Sequence, residues 1–179
     1  MKKFLSVLML ACAIFTNAKA DDNKILVAYF SATGNTKAVA EKLATAINAD
    51  LFEIVPEQLY TSEDLNWQND QSRSYIEMGD RSSRPVISSK IDDMAQYKIV
   101  FVGSPIWWGR EPSIIDTFIE SYDFSDKTVI PFVTSGSSGI GDYGANLQSL
   151  APNAKVLTGK RFSNDVSAEE LKSWADEQM

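Results

Sequence analysis

One stretch, Ile25–Ala44, joins an apolar segment directly to a helical one; its sequence is ILVAYFSATGNTKAVAEKLA. The six mostly apolar residues Ile25–Phe30 are typical of a buried strand. Small and hydroxyl-bearing residues follow at once, and a helical pattern of apolar residues begins at Thr36. A strand, a short loop and a helix in this order are the first half of a βαβ unit. The stretch therefore predicts an α/β fold.

Further strands and helices alternate along the rest of the chain. Three near-continuous apolar runs are typical of strands buried on both faces of a parallel sheet: KILVAYF at 24–30, YKIVFVG at 97–103 and KTVIPFVT at 127–134. Weaker strand candidates are DLFEIV at 50–55 and AKVLTG at 154–159. Helical patterns occur at 36–47, 113–122 and 167–179, and a short helix is predicted over 67–78. The alternation predicts one doubly wound α/β domain.

The composition excludes several kinds of active site. The chain has no histidine and a single cysteine, Cys12, so neither a Ser-His-Asp triad nor a Cys/His zinc site is available. The net charge is −7, and three of the basic residues are lysines within the first 20 positions. Residues 21–179 therefore hold 14 basic and 24 acidic side chains, a net charge of −10. Such a surface repels nucleic acid and attracts a partner with a basic face.

The first 20 residues have the pattern of an export signal. Two lysines precede an apolar run that is too short for a stable membrane anchor, and Ala-Lys-Ala follows. We expect cleavage after Ala20, which leaves residues 21–179 as a periplasmic or secreted domain without a transmembrane segment. The alternatives are a buried N-terminal helix and a lipid anchor on Cys12.

The loop SATGNT predicts an anion site at the end of the first strand. In open α/β sheets, ligands bind beyond the carboxyl ends of the strands, where the free N–H groups of a helix favour an anion. Four side chains add neutral donors, and the loop contains no cation, which favours a phosphate monoester and excludes a P-loop. The alternative is an ordinary capped turn. The loop residues are Ser31, Ala32, Thr33, Gly34, Asn35 and Thr36.

Two more loops follow strong strand candidates. GSPIWWGREP, at 103–112, holds adjacent tryptophans, and a planar aromatic ligand could stack on one of them. The alternative places one tryptophan on the sheet and the other at a protein interface. TSGSSGIGDYG, at 134–144, leaves backbone groups uncovered for the polar edge of a heterocycle, or is merely a connector.

The three loops together resemble those of the flavodoxin family, in particular of exported bacterial flavodoxin-like proteins. Ser-x-Thr-Gly-Asn-Thr at 31–36 is similar to the family's FMN-phosphate loop, and Gly-Ser-Pro-Ile-Trp-Trp-Gly at 103–109 to its flavin-stacking loop. Residues 135–139 are similar to its third flavin-contacting loop. The resemblance implies a three-layer sandwich around a five-stranded parallel sheet in the order 2-1-3-4-5. It also implies bound FMN and electron transfer.

The resemblance assigns roles to individual residues. Ser31, Thr33, Asn35 and Thr36 would bind the phosphate, and Trp107 would stack on the isoalloxazine ring. The backbone of 135–139 would meet the pyrimidine edge. The remaining expected FMN contacts in these loops are Ala32, Gly34, Ser104, Pro105, Ile106, Trp108, Gly109, Ser135, Gly136, Ser137, Ser138 and Gly139.

Two positions depart from the family pattern. Many members have a tyrosine inside the third loop, whereas the nearest one here is Tyr143, beyond that loop. The position after the stacking tryptophan, often Gly or Asn in the family, is Trp108.

The resemblance implies an electron carrier without a catalytic side chain or a metal, with FMN performing the redox chemistry. We expect a monomer that meets redox partner proteins through basic faces on those partners. The candidate docking residues are Glu63, Asp64, Asp80, Glu111, Asp123, Asp126 and Asp142. One alternative is an FMN-dependent reductase that takes hydride from NAD(P)H and reduces quinones. Another is a flavin-free binding module that keeps only the fold.

Overall fold

The computed structural model describes residues 24–179, so the predicted export signal lies outside the described residues. The strands are β1 (Lys24–Tyr29), β2 (Asp50–Glu53), β3 (Tyr97–Pro105), β4 (Thr128–Thr134), β5 (Lys155–Val156) and β6 (Lys160–Phe162). The helices are α1 (Asn35–Ile47), α2 (Arg73–Gly79), α3 (Ser113–Glu120), α4 (Tyr143–Leu150) and α5 (Ala168–Gln178), with a 3₁₀ turn at Met94–Gln96. Between residues 24 and 179, no helix has the length and apolar character needed to cross a bilayer.

All strands belong to one parallel sheet with the order β2-β1-β3-β4-β5, which confirms the predicted topology. The nine-residue strand β3 lies at the centre and pairs with β1 on one side and β4 on the other. The chain therefore winds in one direction from β1 to β2 and in the other from β3 to β5. The switch point lies between β1 and β3, where such folds bind their ligands.

The predicted fifth strand, 154–159, is wrong in its extent, because the structure divides it into two short strands. β5 and β6 both pair with β4, and three residues, 157–159, lie opposite two residues of β4. One of those two is Pro131, which has no backbone N–H to donate across the sheet. The break between β5 and β6 lies opposite Pro131, and β6 then continues the pairing to Phe162, which lies beside the last residue of β4, Thr134.

Helices cover both faces of the sheet, as the continuous apolar strands require. Along β1, Leu26 and Ala28 contribute to one core, and Val27 and Tyr29 to the other. Helices α3 and α4 lie on the first core, whereas α1 and α5 lie on the second and contact each other. The middle of β1 is fully buried, so its carboxyl end holds the following loop at a fixed place.

The predicted helix over 67–78 begins later than expected, at Arg73. The amide side chains of Asn66 and Asn69 accept hydrogen bonds from the backbone two residues on, at 3.2 and 3.0 Å. Such local bonds compete with helical ones and hold this stretch in turns. Ser72 then caps α2 by accepting a bond from Tyr75 N.

Candidate functional site

The loops that follow β1, β3 and β4 meet at the carboxyl edge of the sheet, and two neighbouring cavities open there. The first, called the polar cavity, has a volume of about 400 Å³. The second, called the aromatic cavity, has a volume of about 380 Å³. The residues that both cavities share are Ala32, Thr33 and Pro105. A long ligand could therefore occupy both at once.

The polar cavity lies at the N-terminus of α1. Gly34 precedes the helix with φ +88°, a left-handed conformation that favours glycine, and its N–H donates to Ser31 Oγ at 3.1 Å. Within residues 24–179, no side chain caps α1, and its first turn has no acidic residue. The N–H groups of this turn are therefore available to an acceptor in the cavity, which suits an anion such as a phosphate.

The hydroxyl and amide groups around this cavity are already held in place. Thr36 and Thr134 are buried, and their hydroxyl groups share a hydrogen bond of 2.8 Å between α1 and the end of β4. Asn35 donates to Thr33 Oγ1 at 3.4 Å and accepts from Asn164 Nδ2 at 3.3 Å. The polar cavity is thus organised before any ligand binds.

Arg161, on β6, also lines the polar cavity, and sequence reasoning missed it. Its Nη2 donates to the carbonyl oxygens of Ser135 and Gly136 at 2.6 and 2.7 Å. Its Nη1 has no hydrogen-bond partner in the described part of the chain. Asp165 lies in the same cavity; the Ser163 hydroxyl lowers the pKa of its carboxyl, which therefore stays ionised at neutral pH. Arg161 offsets that negative charge.

The aromatic cavity is built around Trp107. The rings of Phe30 and Tyr60 pack against its indole in T-shaped geometry, with ring centroids 5.7 and 5.3 Å away. Tyr60 is itself held, because its hydroxyl donates to Glu77 Oε2 at 2.5 Å and the Arg73 guanidinium lies 4.0 Å from its ring centroid. These contacts hold the indole of Trp107 in place at the cavity.

A tight turn presents the two tryptophans. The backbone of Trp107 and Arg110 exchanges two hydrogen bonds, at 2.9 and 3.1 Å. The intervening residues Trp108 and Gly109 have φ of 46° and 82°, as in a type I′ turn. For Trp108 this conformation is strained, at a cost of about 1 kcal/mol. Its side chain is half exposed and meets the edge of Tyr75.

A buried charged cluster lies directly after this turn. Arg110 donates to Asp116 Oδ2 at 3.4 Å, and Asn146 donates to Glu111 Oε2 at 3.0 Å. Both carboxyl groups are buried, at 0 % exposure for Glu111 and 3 % for Asp116. Burial, followed by the nearby charge of Glu111, raises the pKa of Asp116 to about 7. Glu111 is therefore excluded from the predicted docking surface.

Ten of the 17 predicted FMN contacts line at least one of the two cavities, and seven line neither. Those that line the polar cavity, the aromatic cavity or both are Ala32, Thr33, Asn35, Thr36, Pro105, Ile106, Trp107, Trp108, Ser135 and Gly136. Those that line neither are Ser31, Gly34, Ser104, Gly109, Ser137, Ser138 and Gly139. Ser104 is fully buried, and Tyr143 is buried in the core, so Tyr143 covers no ligand.

Several lining residues come from outside the three loops. They are Leu65, Trp67 and Ser74 in the aromatic cavity, and Arg161, Ser163, Asn164 and Asp165 in the polar one. Thr134, the first residue of the third loop, also lines the polar cavity although it was not among the predicted contacts. A tryptophan within the polar stretch around Trp67 was the one sign in the sequence that this stretch reaches the aromatic cavity. Only the structure identifies Arg161 as a residue of the polar cavity, because it lies on β6 and β6 pairs with β4.

Sequence comparison identifies the family. The sequence profile of the Flavodoxin family matches residues 24–178, nearly all of the described chain. This chain belongs to the flavodoxin family. The family predicted from the sequence is therefore confirmed. A search of curated proteins found no match.

Solved structures of flavodoxin-family proteins resemble this one over nearly their whole length. A protein from Bacteroides eggerthii DSM 20697, described provisionally as a flavoprotein, is 46% identical, with a TM-score of 0.82; the match covers 87% of this chain and 97% of that chain. A similarly described protein from Bacteroides uniformis ATCC 8492 is 45% identical, with a TM-score of 0.82 and coverage of 86% and 98%. A flavoprotein from Lactobacillus acidophilus NCFM, crystallised in complex with FMN, is 25% identical, with a TM-score of 0.60 and coverage of 86% and 99%.

Proposed function

We propose that this protein binds FMN and shuttles electrons between redox partner proteins. One observation carries the proposal: a polar, anion-binding cavity and an aromatic cavity adjoin each other at the switch point of the sheet. FMN has the matching form, a phosphate joined through a polar chain to a planar ring. Both volumes fall in the range of about 300 to 1,000 Å³ that is usual for such sites. The Lactobacillus flavoprotein, a structurally similar protein crystallised in complex with FMN, adds support.

The phosphate fits the polar cavity by charge and by donors. The uncapped first turn of α1 offers backbone N–H groups, and Thr33 and Asn35 offer side-chain donors beside it. Arg161 adds a guanidinium that the neutral-donor interpretation of the sequence lacked, and it also offsets the Asp165 carboxylate in the same cavity. A doubly charged phosphate is stabilised by both the helix dipole and this guanidinium.

The ring fits the aromatic cavity, where Trp107 provides the stacking surface. FMN, when bound, supplies reversible electron transfer that no side chain here can perform. The indole excludes water from one face of the ring, and the net negative charge of the protein opposes further negative charge there. Both effects favour a low reduction potential.

Acidic side chains near the cavities support docking of a partner with a basic face. Glu63 and Asp142 are exposed, and both lie on loops that border the site. Hydrogen bonds from Thr61 lower the pKa of Asp64, which therefore remains charged. Exposed charges of this kind raise association rates more than affinity, and their effect falls with salt.

Titration with FMN tests the proposal. Purified protein should bind FMN with a 1:1 end point, seen as a change in flavin absorbance and fluorescence. A protein that ignores FMN would contradict the proposal and favour a flavin-free binding module. Rapid mixing of the FMN-loaded protein with NADPH separates the remaining alternative, because fast flavin bleaching without a partner protein would indicate a reductase.

We further propose that the chain is exported and works as a periplasmic or secreted protein. The N-terminal pattern of residues 1–20 and the absence of cysteine after Cys12 support this location. Fractionation of the source cells, followed by mass determination, tests it. The expected product begins at Asp21, whereas a full-length cytoplasmic chain would contradict the proposal.

A further inference from the structure

The aromatic cavity has a wall that comes from none of the three loops. It belongs to residues 61–79, called here the β2–β3 segment, which contributes Leu65, Trp67 and Ser74. Trp67 exposes 68% of its surface although it lies at a cavity, where a large apolar side chain has little reason to face water. A planar ligand would cover this exposed indole.

The β2–β3 segment is fixed by hydrogen bonds at both ends. The Asp64 carboxylate accepts from the backbone N–H and hydroxyl of Thr61, at 2.9 and 3.0 Å. The backbone carbonyl of Asp64 in turn accepts from Ser74 N at 3.0 Å. Leu65 lies next to this anchor and Trp67 between the two ends of the segment, so the wall is held in place before a ligand binds.

Ser74 carries the decisive polar group. Its side chain is 2% exposed, and its Oγ has no hydrogen-bond partner within residues 24–179. A buried hydroxyl without a partner is costly, so most such groups in proteins are paired. Ser74 lines the aromatic cavity, where a ligand with a polar edge would supply the missing partner.

We propose that the β2–β3 segment forms a second wall of the ring site, in which Trp67 covers the flavin ring and Ser74 Oγ hydrogen-bonds a heteroatom of its polar edge. This inference rests on the proposed function and assigns ring contacts that the sequence had placed in the third loop. Ser137, Ser138 and Gly139 of that loop are exposed and line neither cavity. We therefore assign the hydrogen bond to the polar edge of the ring to Ser74.

Replacement of the hydroxyl gives the sharpest test. Ser74→Ala should weaken binding of lumiflavin, a flavin ring without the phosphate chain, by about tenfold, the effect of one lost hydrogen bond. It should also shift the visible absorption band of bound FMN. The apo protein should keep or raise its melting temperature, because an unsatisfied buried group is removed. Ser149→Ala, on the exposed surface of α4, is the matched control and should change none of these.

Replacement of the indole tests the other contact. Trp67→Ala should weaken lumiflavin and FMN alike by about tenfold, because stacking and apolar burial act on the ring only. Leu59→Ala is the matched control, since Leu59 has the same 68% exposure and lines neither cavity. The control should bind both flavins as the wild type does.

The outcomes separate this inference from the proposed function. If the wild type binds no FMN, the proposed function fails, and the inference fails with it. If the wild type binds FMN and Trp107→Ala weakens it, but Ser74→Ala and Trp67→Ala bind lumiflavin normally, the second wall alone is overturned. A lower melting temperature of the Ser74→Ala apo protein would also overturn the role of Ser74, because it would show a structural partner for the hydroxyl.

Discussion

The polar and aromatic cavities differ in how completely their side chains are satisfied without a ligand. In the polar cavity, Thr36 bonds Thr134, and Asn35 bonds both Thr33 and Asn164. In the aromatic cavity, by contrast, the Ser74 hydroxyl lacks a partner within the described residues, and Trp67 and Trp108 are exposed. The first cavity is therefore organised to recognise charge, and the second gains most of its stabilisation when a ring buries it.

This difference indicates that one ligand can be bound by charge recognition in the polar cavity and by burial of apolar surface in the aromatic cavity. Charge recognition depends on fixed donors, which lose little entropy on binding and discriminate strongly between ligands. Ring binding depends on apolar area removed from water, which gives affinity but little discrimination. We expect substitutions in the polar cavity to act on FMN alone and those in the aromatic cavity to act on every flavin.

The largest effect is expected from Trp107→Ala. It removes the stacking surface and leaves a void beside Phe30 and Tyr60. Affinity for FMN and riboflavin should both fall by about 100-fold, measured by fluorescence titration. Trp107→Phe, which keeps a ring, should lose less. Unchanged riboflavin binding in the alanine variant would mean that the ring lies elsewhere.

The next largest effect distinguishes the two cavities, because it should appear with FMN and not with riboflavin. Thr33→Ala removes a donor that the phosphate would use, so FMN binding should weaken by about 30-fold while riboflavin binding stays the same. Isothermal calorimetry with both ligands measures the ratio. Thr45→Ala, an exposed threonine later in α1, should leave both affinities unchanged. An equal loss for both ligands in the Thr33 variant would contradict the phosphate assignment.

A smaller and salt-dependent effect is expected from Arg161→Gln. Loss of the guanidinium charge should weaken FMN by about tenfold at low ionic strength, and less at high salt, because screening already reduces its contribution. Lys160→Gln is the control, since Lys160 is the preceding residue and pairs with Glu170 outside the cavity. A loss that is the same at every salt concentration would indicate that Arg161 acts only by holding the Ser135 and Gly136 carbonyls.

The smallest effect concerns the folding stability of the protein and its dependence on Asp116, in the buried charged cluster that follows the tryptophan turn. Burial raises the pKa of Asp116 to about 7 in the folded state, above its ordinary value of 3.8, so the folded protein binds this proton more tightly than the unfolded chain. The resulting stabilisation is present below about pH 4 and is lost as the pH rises to 7. Asp116→Asn should remove this contribution, so between pH 4 and pH 8 the free energy of unfolding of the variant should fall less, or rise more, than that of the wild type.

Urea unfolding at several pH values between 4 and 8 measures this difference. Asp126→Asn, at an exposed position, provides the comparison and should follow the wild type throughout. An Asp116→Asn protein whose stability changes with pH as that of the wild type does would show that the pKa of Asp116 is not raised in the folded state.

The strands and the first loop were predictable because they depend on neighbours in sequence. Continuous apolar runs marked β1, β3 and β4. Ser-x-x-Glu at 167–170 is typical of a helix N-terminus, and in the structure Ser167 Oγ accepts from Glu170 N at 3.1 Å. The start of α2 was not predictable, since the competing side-chain turns at Asn66 and Asn69 have the same composition as a polar helix. Helix α4 was missed because it follows a glycine-rich loop directly and buries only two side chains, Tyr143 and Leu147.

The sequence alone determined the α/β class and the family, and it predicted a phosphate-binding loop at 31–36, since each depends on local periodicity or on a contiguous motif. Only the tertiary structure decided which distant residues complete the cavities. Arg161 reached the polar cavity because β6 pairs with β4, and Ser74 reached the aromatic one because the β2–β3 segment is bonded back on itself. Such contacts between residues far apart in the chain depend on the packing of the whole sheet, and no local pattern encodes them.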